Sequence, residues 1–245
     1  MINFKNTFTK SAVCCVSALL IASIASCQFK GVRGSGNVTT ESRTVSGNFK
    51  GIEAENGLEV EIEQSATTSI SVVADDNLQS HIKVRVADGI LKISCDVNNF
   101  IDVESKKVIV KTPVIESIQA TSGTSLKTMN TVKCNSMMLK SSSGSTMNVA
   151  IETERAACES SSGSTIKVSG KAITLEVGSS SGSNIDAEKL LSNEVIASAS
   201  SGSSIDVYPL VSLTAESSSG ASIGYHNVPK SINKKSNSGG SIDKQ

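Results

Sequence analysis

Aromatic side chains are scarce in this chain of 245 residues, which has five Phe, two Tyr and no Trp. The bulky core of an ordinary globule is therefore excluded, and any core must be built from Val, Ile, Leu, Ala and Ser. Small and branched side chains of this kind suit thin stacked β layers. Serine richness alone would suit a disordered chain, but apolar residues return regularly between the serines, which predicts an ordered all-β protein.

An excess of either charge is also lacking, because 23 basic residues face 23 acidic ones. A protein that binds nucleic acid needs a net basic face to neutralise phosphates. The balance therefore excludes nucleic acid as a partner.

Residues suited to catalysis or metal binding are few. The two histidines, His81 and His226, have no His, Cys or carboxylate at ligand spacing in the sequence, which indicates surface or turn positions. No G-x-S-x-G elbow and no phosphate-binding loop are recognisable. We predict no catalytic residue, no metal and no cofactor, and hence that the protein is not an enzyme.

The N-terminus has the pattern of a targeting signal and an anchor. Lys5 and Lys10 precede an uncharged run over 11–26, which is too short to cross a bilayer and predicts a signal peptide over 1–26. Residues 24–27 resemble the bacterial lipobox, which predicts lipidation of Cys27; the alternative is ordinary cleavage near an unmodified Cys27. Two or more acyl chains would hold the protein on a membrane.

The location expected for such an anchor is the cell envelope. Gln28 is not the aspartate of an inner-membrane retention signal, which favours the outer membrane, with the periplasmic or surface face open. The stretch over 28–40 has three glycines and no clear periodicity, which predicts a flexible spacer, with the anchor and tether assigned to 27–34.

The cysteines beyond the anchor are three in number and irregularly spaced: Cys95, Cys134 and Cys158. An odd, irregular set is neither a disulfide framework nor a metal-site pattern. We expect buried thiols that act as small hydrophobic side chains.

One short serine-glycine phrase occurs seven times in the second half of the chain. Its glycines are Gly123, Gly144, Gly163, Gly182, Gly202, Gly220 and Gly239, at steps of 18 to 21 residues. A period this regular predicts a solenoid.

The residues around each glycine predict the shape of one turn. The third residue after the glycine is apolar in every copy, and most residues five after, five before and seven before it are apolar too. Apolar positions two apart indicate strands with one buried face, and the glycine indicates a corner or bulge between two arms. We predict rungs of about 19 residues, each with two or three short strands that pair with the next turn.

The serine before each glycine and its Thr, Ser or Asn predecessor would form ladders in such a stack. Their hydroxyl or amide groups could bond the turns above and below, which is the structural interpretation. The alternative is a flat hydroxylated face that binds a polysaccharide or ice. The final copy carries Lys230, Lys234 and Lys235, which predicts a polar cap over the last strand edge.

Asp186, Asp206 and Asp243 each lie four residues after a repeat glycine. Carboxylates on adjacent turns could bind Ca²⁺ or a polysaccharide substrate. The equivalent residues of the other turns are Lys127, Asn148, Lys167 and Gly224, which interrupt any acidic strip. Solvated side chains on the outer face are the preferred interpretation.

In the first half of the chain apolar and polar residues also alternate, but the serine phrase is absent. Residues on either side of Asn56-Gly57 predict two strands joined by a tight turn, and Asp88-Gly89 predicts a hairpin. A further short strand is expected at 108–110. We assign 35–116 to these N-terminal strands and 117–245 to the repeats, as parts of one solenoid domain over 35–245.

Several phrases of the first half carry a family resemblance. They are Gly36-Asn-Val38, Val45-Ser-Gly-Asn-Phe-Lys-Gly-Ile52, Asn56-Gly-Leu-Glu-Val60, Ala74-Asp-Asp-Asn-Leu78 and Asp88-Gly-Ile-Leu-Lys-Ile93, followed by the repeats. In order and spacing the chain resembles the bacterial DUF2807 family, also called the auto-transporter adhesin head GIN domain. The resemblance implies a secreted or lipid-anchored, right-handed β-helix of a kind common in Bacteroidetes, and it brings no catalytic residues.

The expected function is that of a non-enzymatic envelope lipoprotein, an adhesin that presents a rigid β-solenoid surface. Its partners would be the membrane, through the anchor, and a glycan or a host or envelope surface protein. Two alternatives stay open: a polysaccharide-binding or polysaccharide-cleaving β-helix, and a purely structural envelope component. Charged residues converging from three adjacent turns would favour the polysaccharide alternative, whereas a bare Ser/Thr face would favour adhesion.

Overall fold

The computed structural model of the chain describes residues 31–97 and 99–245. The expected signal peptide, the lipidation site Cys27 and Gln28 lie outside these residues. The described residues contain no α-helix, and therefore no helix that is long and apolar enough to cross a membrane.

The described part of the chain contains nineteen strands and one short 3₁₀ helix, Asp76–Leu78. In the first half they are β1 (Val32–Arg33), β2 (Val38–Ser42), β3 (Gly51–Ala54), β4 (Glu59–Gln64), β5 (Ser69–Asp75), β6 (Ile82–Ala87), β7 (Ile90–Cys95), β8 (Phe100–Ile101) and β9 (Lys106–Thr112). In the repeats they are β10 (Ser117–Ala120), β11 (Ser125–Thr128), β12 (Val132–Ser141), β13 (Thr146–Ser160), β14 (Thr165–Ser179), β15 (Asn184–Ala199), β16 (Ser204–Ser217), β17 (Ser222–Tyr225), β18 (Ser231–Ser236) and β19 (Ser241–Lys244).

The repeats form a parallel β-solenoid in which each turn lies in register on the next. Ile166 of β14 pairs with Met147 of β13 on one side and with Ile185 of β15 on the other, and all three side chains are buried. The predicted all-β solenoid with rungs of about 19 residues is thereby confirmed. Like apolar side chains stack along the axis, so each turn shares its core with its neighbours.

Four turns of the repeats, those of β13 to β16, each run as one bent strand from corner to corner, where two or three shorter strands were expected. The first and last turns consist of two strands each, β11–β12 and β17–β18, as expected. In β13 the inward side chains alternate regularly up to Thr153, and the alternation resumes with Ala156. Glu154 and Arg155 between them both point outward. Two consecutive outward residues change the phase of the alternation, so the strand bends there and the turn has two arms.

The first turns of the stack do not follow the order of the chain. The β3–β4 turn lies between the β7/β9 turn and the β10/β11 turn. Ile52 pairs with Leu91 on one side and Ile118 on the other. β7 and β9 therefore lie on the outer side of β3 and β4 although they come later in the chain, and β6 and β5 pair with them on their far sides.

The two predicted turns of the first half have different roles. Asp88-Gly89, with φ of 52° and 73°, joins the antiparallel pair β6–β7, which confirms the predicted hairpin. Asn56-Gly57 joins β3 to β4, but β3 pairs with β7 and β10, whereas β4 pairs with β9 and β11. It forms an additional corner of the solenoid, since the Gly57 N–H donates to the Ser122 carbonyl at 2.9 Å.

The segment over 31–42 is held against the body of the protein. β1 pairs with β8 and β2 with β5, and the buried carboxylate of Asp75 accepts the N–H groups of Gly36 and Ser105, each at 2.9 Å. The expectation of a flexible spacer is therefore wrong for residues 31–40, because long-range pairing supplies the order that local periodicity did not reveal.

The last turn closes the end of the core with a charged side chain. Lys234 occupies a column whose earlier members, such as Ala215, point inward. Its ammonium lies 4.4 Å from the centre of the Tyr225 ring and donates to the Tyr225 hydroxyl at 2.7 Å. This confirms the predicted polar cap and shows that it covers the core as well as the strand edge.

Candidate functional site

The serine-glycine corners form one continuous edge of the solenoid. Each corner places its serine and its glycine in the left-handed region, as in Ser162 with φ 54° and Gly163 with φ 70°. The Gly163 N–H donates to the carbonyl of Ser181 in the next turn at 3.1 Å, and every repeat corner before the last donates in the same way. Glycine is favoured there because it adopts positive φ without steric cost. The seven repeat glycines therefore hold successive corners in line.

Two other serines of each phrase carry the structural ladder. Ser164, just after Gly163, is buried and donates to the Ser141 carbonyl of the preceding turn at 2.8 Å. Ser160, three residues before the glycine, is also buried, and its hydroxyl lies 2.9 Å from that of Ser164. Buried hydroxyls of this kind satisfy backbone groups inside the corner.

The predicted ladder was thus assigned in part to the wrong serines. Of the predicted pairs, Thr121 and Ser142 do bond across one turn at 3.0 Å. The serine immediately before each glycine points away from the core instead. We call this row the serine ridge; it consists of Ser122, Ser143, Ser162, Ser181, Ser201, Ser219 and Ser238. All seven are exposed, and the described protein groups offer their hydroxyls no partner.

A groove of about 410 Å³ runs beside the serine ridge on the arm that precedes each corner. We call it the arm groove. It crosses five turns, with Gln119, Lys140, Glu159, Gly178 and Ser198 along one side and Ser142, Ser161, Ser180 and Ser200 along the other. Lys140 and Glu159 form an ion pair at 2.9 Å, which leaves the groove without net charge.

Sequence reasoning missed Gly178, although a signal was present. It is the penultimate residue of β14, directly before the serine phrase, and it pairs with a strand on each side, a setting in which glycine weakens a strand. A glycine in that setting indicates a bulge or a close approach by another molecule.

Three carboxylates and a histidine converge on the arm that follows the corners, from three successive turns. His226 Nε2 lies 3.6 Å from Asp206 Oδ1 and 3.9 Å from Glu188 Oε2, and Asp186 pairs in register with Asp206. Burial raises the pKa of Asp206, the charges of Asp186 and Glu188 add to the effect, and His226 opposes it. We call these residues the carboxylate-histidine cluster.

His226 lies in the bend after β17, in agreement with the expected turn position, but it has carboxylate neighbours that the sequence spacing did not reveal. Glu188 lies 38 residues before it in the sequence, so only the stacking of turns brings them together. Asp243 is separated from Asp206 by Gly224, which pairs with both. No group of three or more metal-binding side chains with a geometry fit for an ion occurs in 31–97 and 99–245.

His81 and the cysteines lie apart from these surfaces. His81 Nδ1 is 2.6 Å from Asp96 Oδ1 in the turn before β6, a neighbour that the sequence spacing also did not reveal. Cys95 and Cys158 are buried as expected, while Cys134 is half-buried. Burial raises the pKa of the Cys158 thiol to about 12, which keeps it protonated at neutral pH.

Comparison with known proteins gives a family match and a set of similar folds. The family model DUF2807, described as "Putative auto-transporter adhesin, head GIN domain", matches residues 48–229. A "putative adhesin" from Bacteroides fragilis is 21% identical, and the alignment covers 88% of this chain and 100% of that one with a TM-score of 0.81. A "putative lipid binding protein" from Parabacteroides distasonis is 20% identical over 88% and 100% of the two chains, with a TM-score of 0.72.

A third solved structure, a "putative adhesin" from Parabacteroides merdae, is 18% identical over 88% of this chain and 99% of that one, with a TM-score of 0.69. At such identities the likeness shows a shared fold. No curated protein shows significant similarity to the chain.

Proposed function

This chain belongs to the DUF2807 family, and we propose that it is a non-enzymatic, lipid-anchored adhesin of the cell envelope whose contact surface is the serine ridge. The ridge is rigid, because each corner is bonded to the next through main-chain groups. It would present hydroxyls at the inter-strand spacing of ~4.8 Å.

The observation that carries this proposal is the choice of serine at a strained position. Ser162 and its six equivalents have positive φ, a conformation for which Asn, Asp and Gly are better suited. At the additional corner, Asn56 takes the same place with φ 65°. Seven exposed serines without a protein partner are therefore poorly explained by stability, whereas a surface that needs hydroxyls explains them.

The experiment replaces three neighbouring ridge hydroxyls and preserves the backbone. Ser162→Asn, Ser181→Asn and Ser201→Asn are combined in the soluble fragment 28–245, and binding to whole cells and extracellular matrix proteins is measured. We expect an unchanged or higher melting temperature and a loss of binding. The control Ser136→Asn, at an exposed position eight residues before Gly144, should bind as the parent does. Equal binding by the triple variant would contradict the ridge as the contact surface.

The membrane anchor is proposed from Cys27 and needs its own test. Metabolic labelling with an alkyne fatty acid should modify the parent protein and leave Cys27→Ala unlabelled, with the variant released from the membrane fraction. Labelling of the variant would contradict Cys27 as the lipidation site. Protease treatment of intact cells then distinguishes the surface face from the periplasmic face.

Cleavage of a polysaccharide is a second candidate function, favoured by the carboxylate-histidine cluster. The cluster joins residues from three adjacent turns, and Asp206 and His226 are both partly exposed. If the protein cleaves a polysaccharide there, reducing ends should accumulate, and Asp206→Asn should abolish their release. Adhesion would be unaffected by this substitution, so the two functions can be separated.

A further inference from the structure

Gly178 is a glycine that neither backbone geometry nor packing requires. A Cβ built on it meets nothing within 4 Å, and its φ is ordinary. Every other described glycine has a positive φ or would bring a Cβ within 3 Å of a neighbouring atom. Glycine in a strand interior costs stability relative to residues with side chains, so its presence at this position calls for another reason.

The reason lies in the arm groove, where Gly178 occupies the outward column between Glu159 and Ser198. In this column the preceding turns carry Lys140 and Glu159, whose long side chains stand on the surface. At Gly178 the column is open down to the main chain. From Gln119 to Ser198 the groove spans four inter-strand spacings, or roughly 19 Å.

The other wall of the groove offers free hydrogen-bonding groups. The hydroxyls of Ser161, Ser180 and Ser200 are half-buried, and the described residues give them no partner. Their positions are fixed, because each backbone N–H donates to a buried serine hydroxyl, as Ser161 does to Ser164 at 3.2 Å. The groove thus holds a row of oriented donors and acceptors that only solvent or a ligand can satisfy.

The chemistry of the groove selects among possible ligands. It has no exposed aromatic or large apolar lining, and Lys140 neutralises Glu159. Acyl chains and strongly charged polymers are therefore poorly matched. The strands beneath the groove are paired on both sides, so an extended peptide would find no free sheet edge to extend.

We propose that the arm groove binds a neutral glycan chain lying along the solenoid axis over Gly178. This inference rests on the proposed adhesin function and assigns its ligand class. The sugar hydroxyls would exchange hydrogen bonds with Ser161, Ser180 and Ser200, while the missing side chain at 178 admits the ring to the floor of the groove.

The test uses the full chain purified in detergent and an array of immobilised oligosaccharides. The neutral probes are glucan, mannan, galactan and xylan oligomers, and the charged probes are polyuronate and sulfated oligomers. Gly178→Tyr fills the groove with a side chain that strands accept readily. Glu216→Tyr adds the same side chain in the same outward column, two turns beyond Gly178 and outside the groove, and serves as the matched control.

We expect at least one neutral oligomer to bind the parent and Glu216→Tyr equally, and Gly178→Tyr to bind at least tenfold more weakly while keeping its melting temperature. Ser161→Ala combined with Ser180→Ala should weaken binding by about tenfold or more through two lost hydrogen bonds. If all variants bind the neutral oligomers equally, or only charged probes bind, the inference is overturned. Cell adhesion without glycan binding would overturn this inference alone, whereas absence of both would overturn the proposed function as well.

Discussion

Gly170 and Gly178 lie eight residues apart in the same strand, and replacing each with alanine should have opposite effects. A Cβ on Gly170 would lie 2.0 Å from the main-chain oxygen of Ile151, and its φ is 115°. A side chain in that conformation costs about 1–3 kcal/mol. Overpacking against a paired backbone adds a comparable amount. We therefore expect Gly170→Ala to lower the free energy of unfolding by at least about 2 kcal/mol.

Gly178→Ala should instead stabilise the fold. Its Cβ enters open space, so the main effect is a smaller conformational entropy of the unfolded chain, which is worth about 0.4–1 kcal/mol. For a protein of this size, that corresponds to a rise of roughly 1–4 °C in melting temperature.

Urea denaturation followed by far-UV circular dichroism measures both effects on proteins prepared together. The two variants change the same residue type in β14, so composition and strand are matched. A destabilisation of Gly178→Ala by more than about 1 kcal/mol would refute the reasoning, because glycine would then be a structural requirement. An unchanged free energy of unfolding for Gly170→Ala would show that the backbone around residue 170 relaxes to accommodate the side chain.

Two further predictions concern buried groups. Burial alone would raise the pKa of Asp75, but the N–H groups of Ser105, Gly36 and Glu104 outweigh it and hold the pKa below the ordinary 3.8. The stabilisation by the ionised carboxylate is therefore complete above about pH 4 and is lost as the pH falls through the folded-state pKa. Asp75→Asn should lower the free energy of unfolding at pH 7 by roughly 1–3 kcal/mol. The variant should also show a weaker dependence of the free energy of unfolding on pH, measured by urea denaturation from pH 7 to 2. Cys134 should react with a thiol reagent faster than Cys158 in the folded protein, and equal rates would contradict the burial of Cys158.

The solenoid itself could be predicted because the residue pattern that specifies it lies within a single turn and is repeated in every turn. Ile166 and its equivalents lie three residues after each glycine, so one alignment of the chain with itself identifies the inward column and the corner. The Asp88-Gly89 hairpin was accessible for the same reason, since a two-residue turn is encoded where it occurs. The position of Asn56-Gly57 was also correct, but its role as a corner depends on the bond from Gly57 to Ser122, a residue 65 positions away.

What the sequence determined by itself is therefore the repeat length, the inward columns and the seven glycine corners, since these follow from periodicity within one turn. Only the tertiary structure decided that the β3–β4 turn enters the stack between β9 and β10, that His226 meets Glu188 and Asp206, and that Gly178 opens a groove. Each of these depends on which turn lies on which and on what neighbouring side chains leave uncovered. Such long-range pairings have no local pattern, so they arise only when the turns stack.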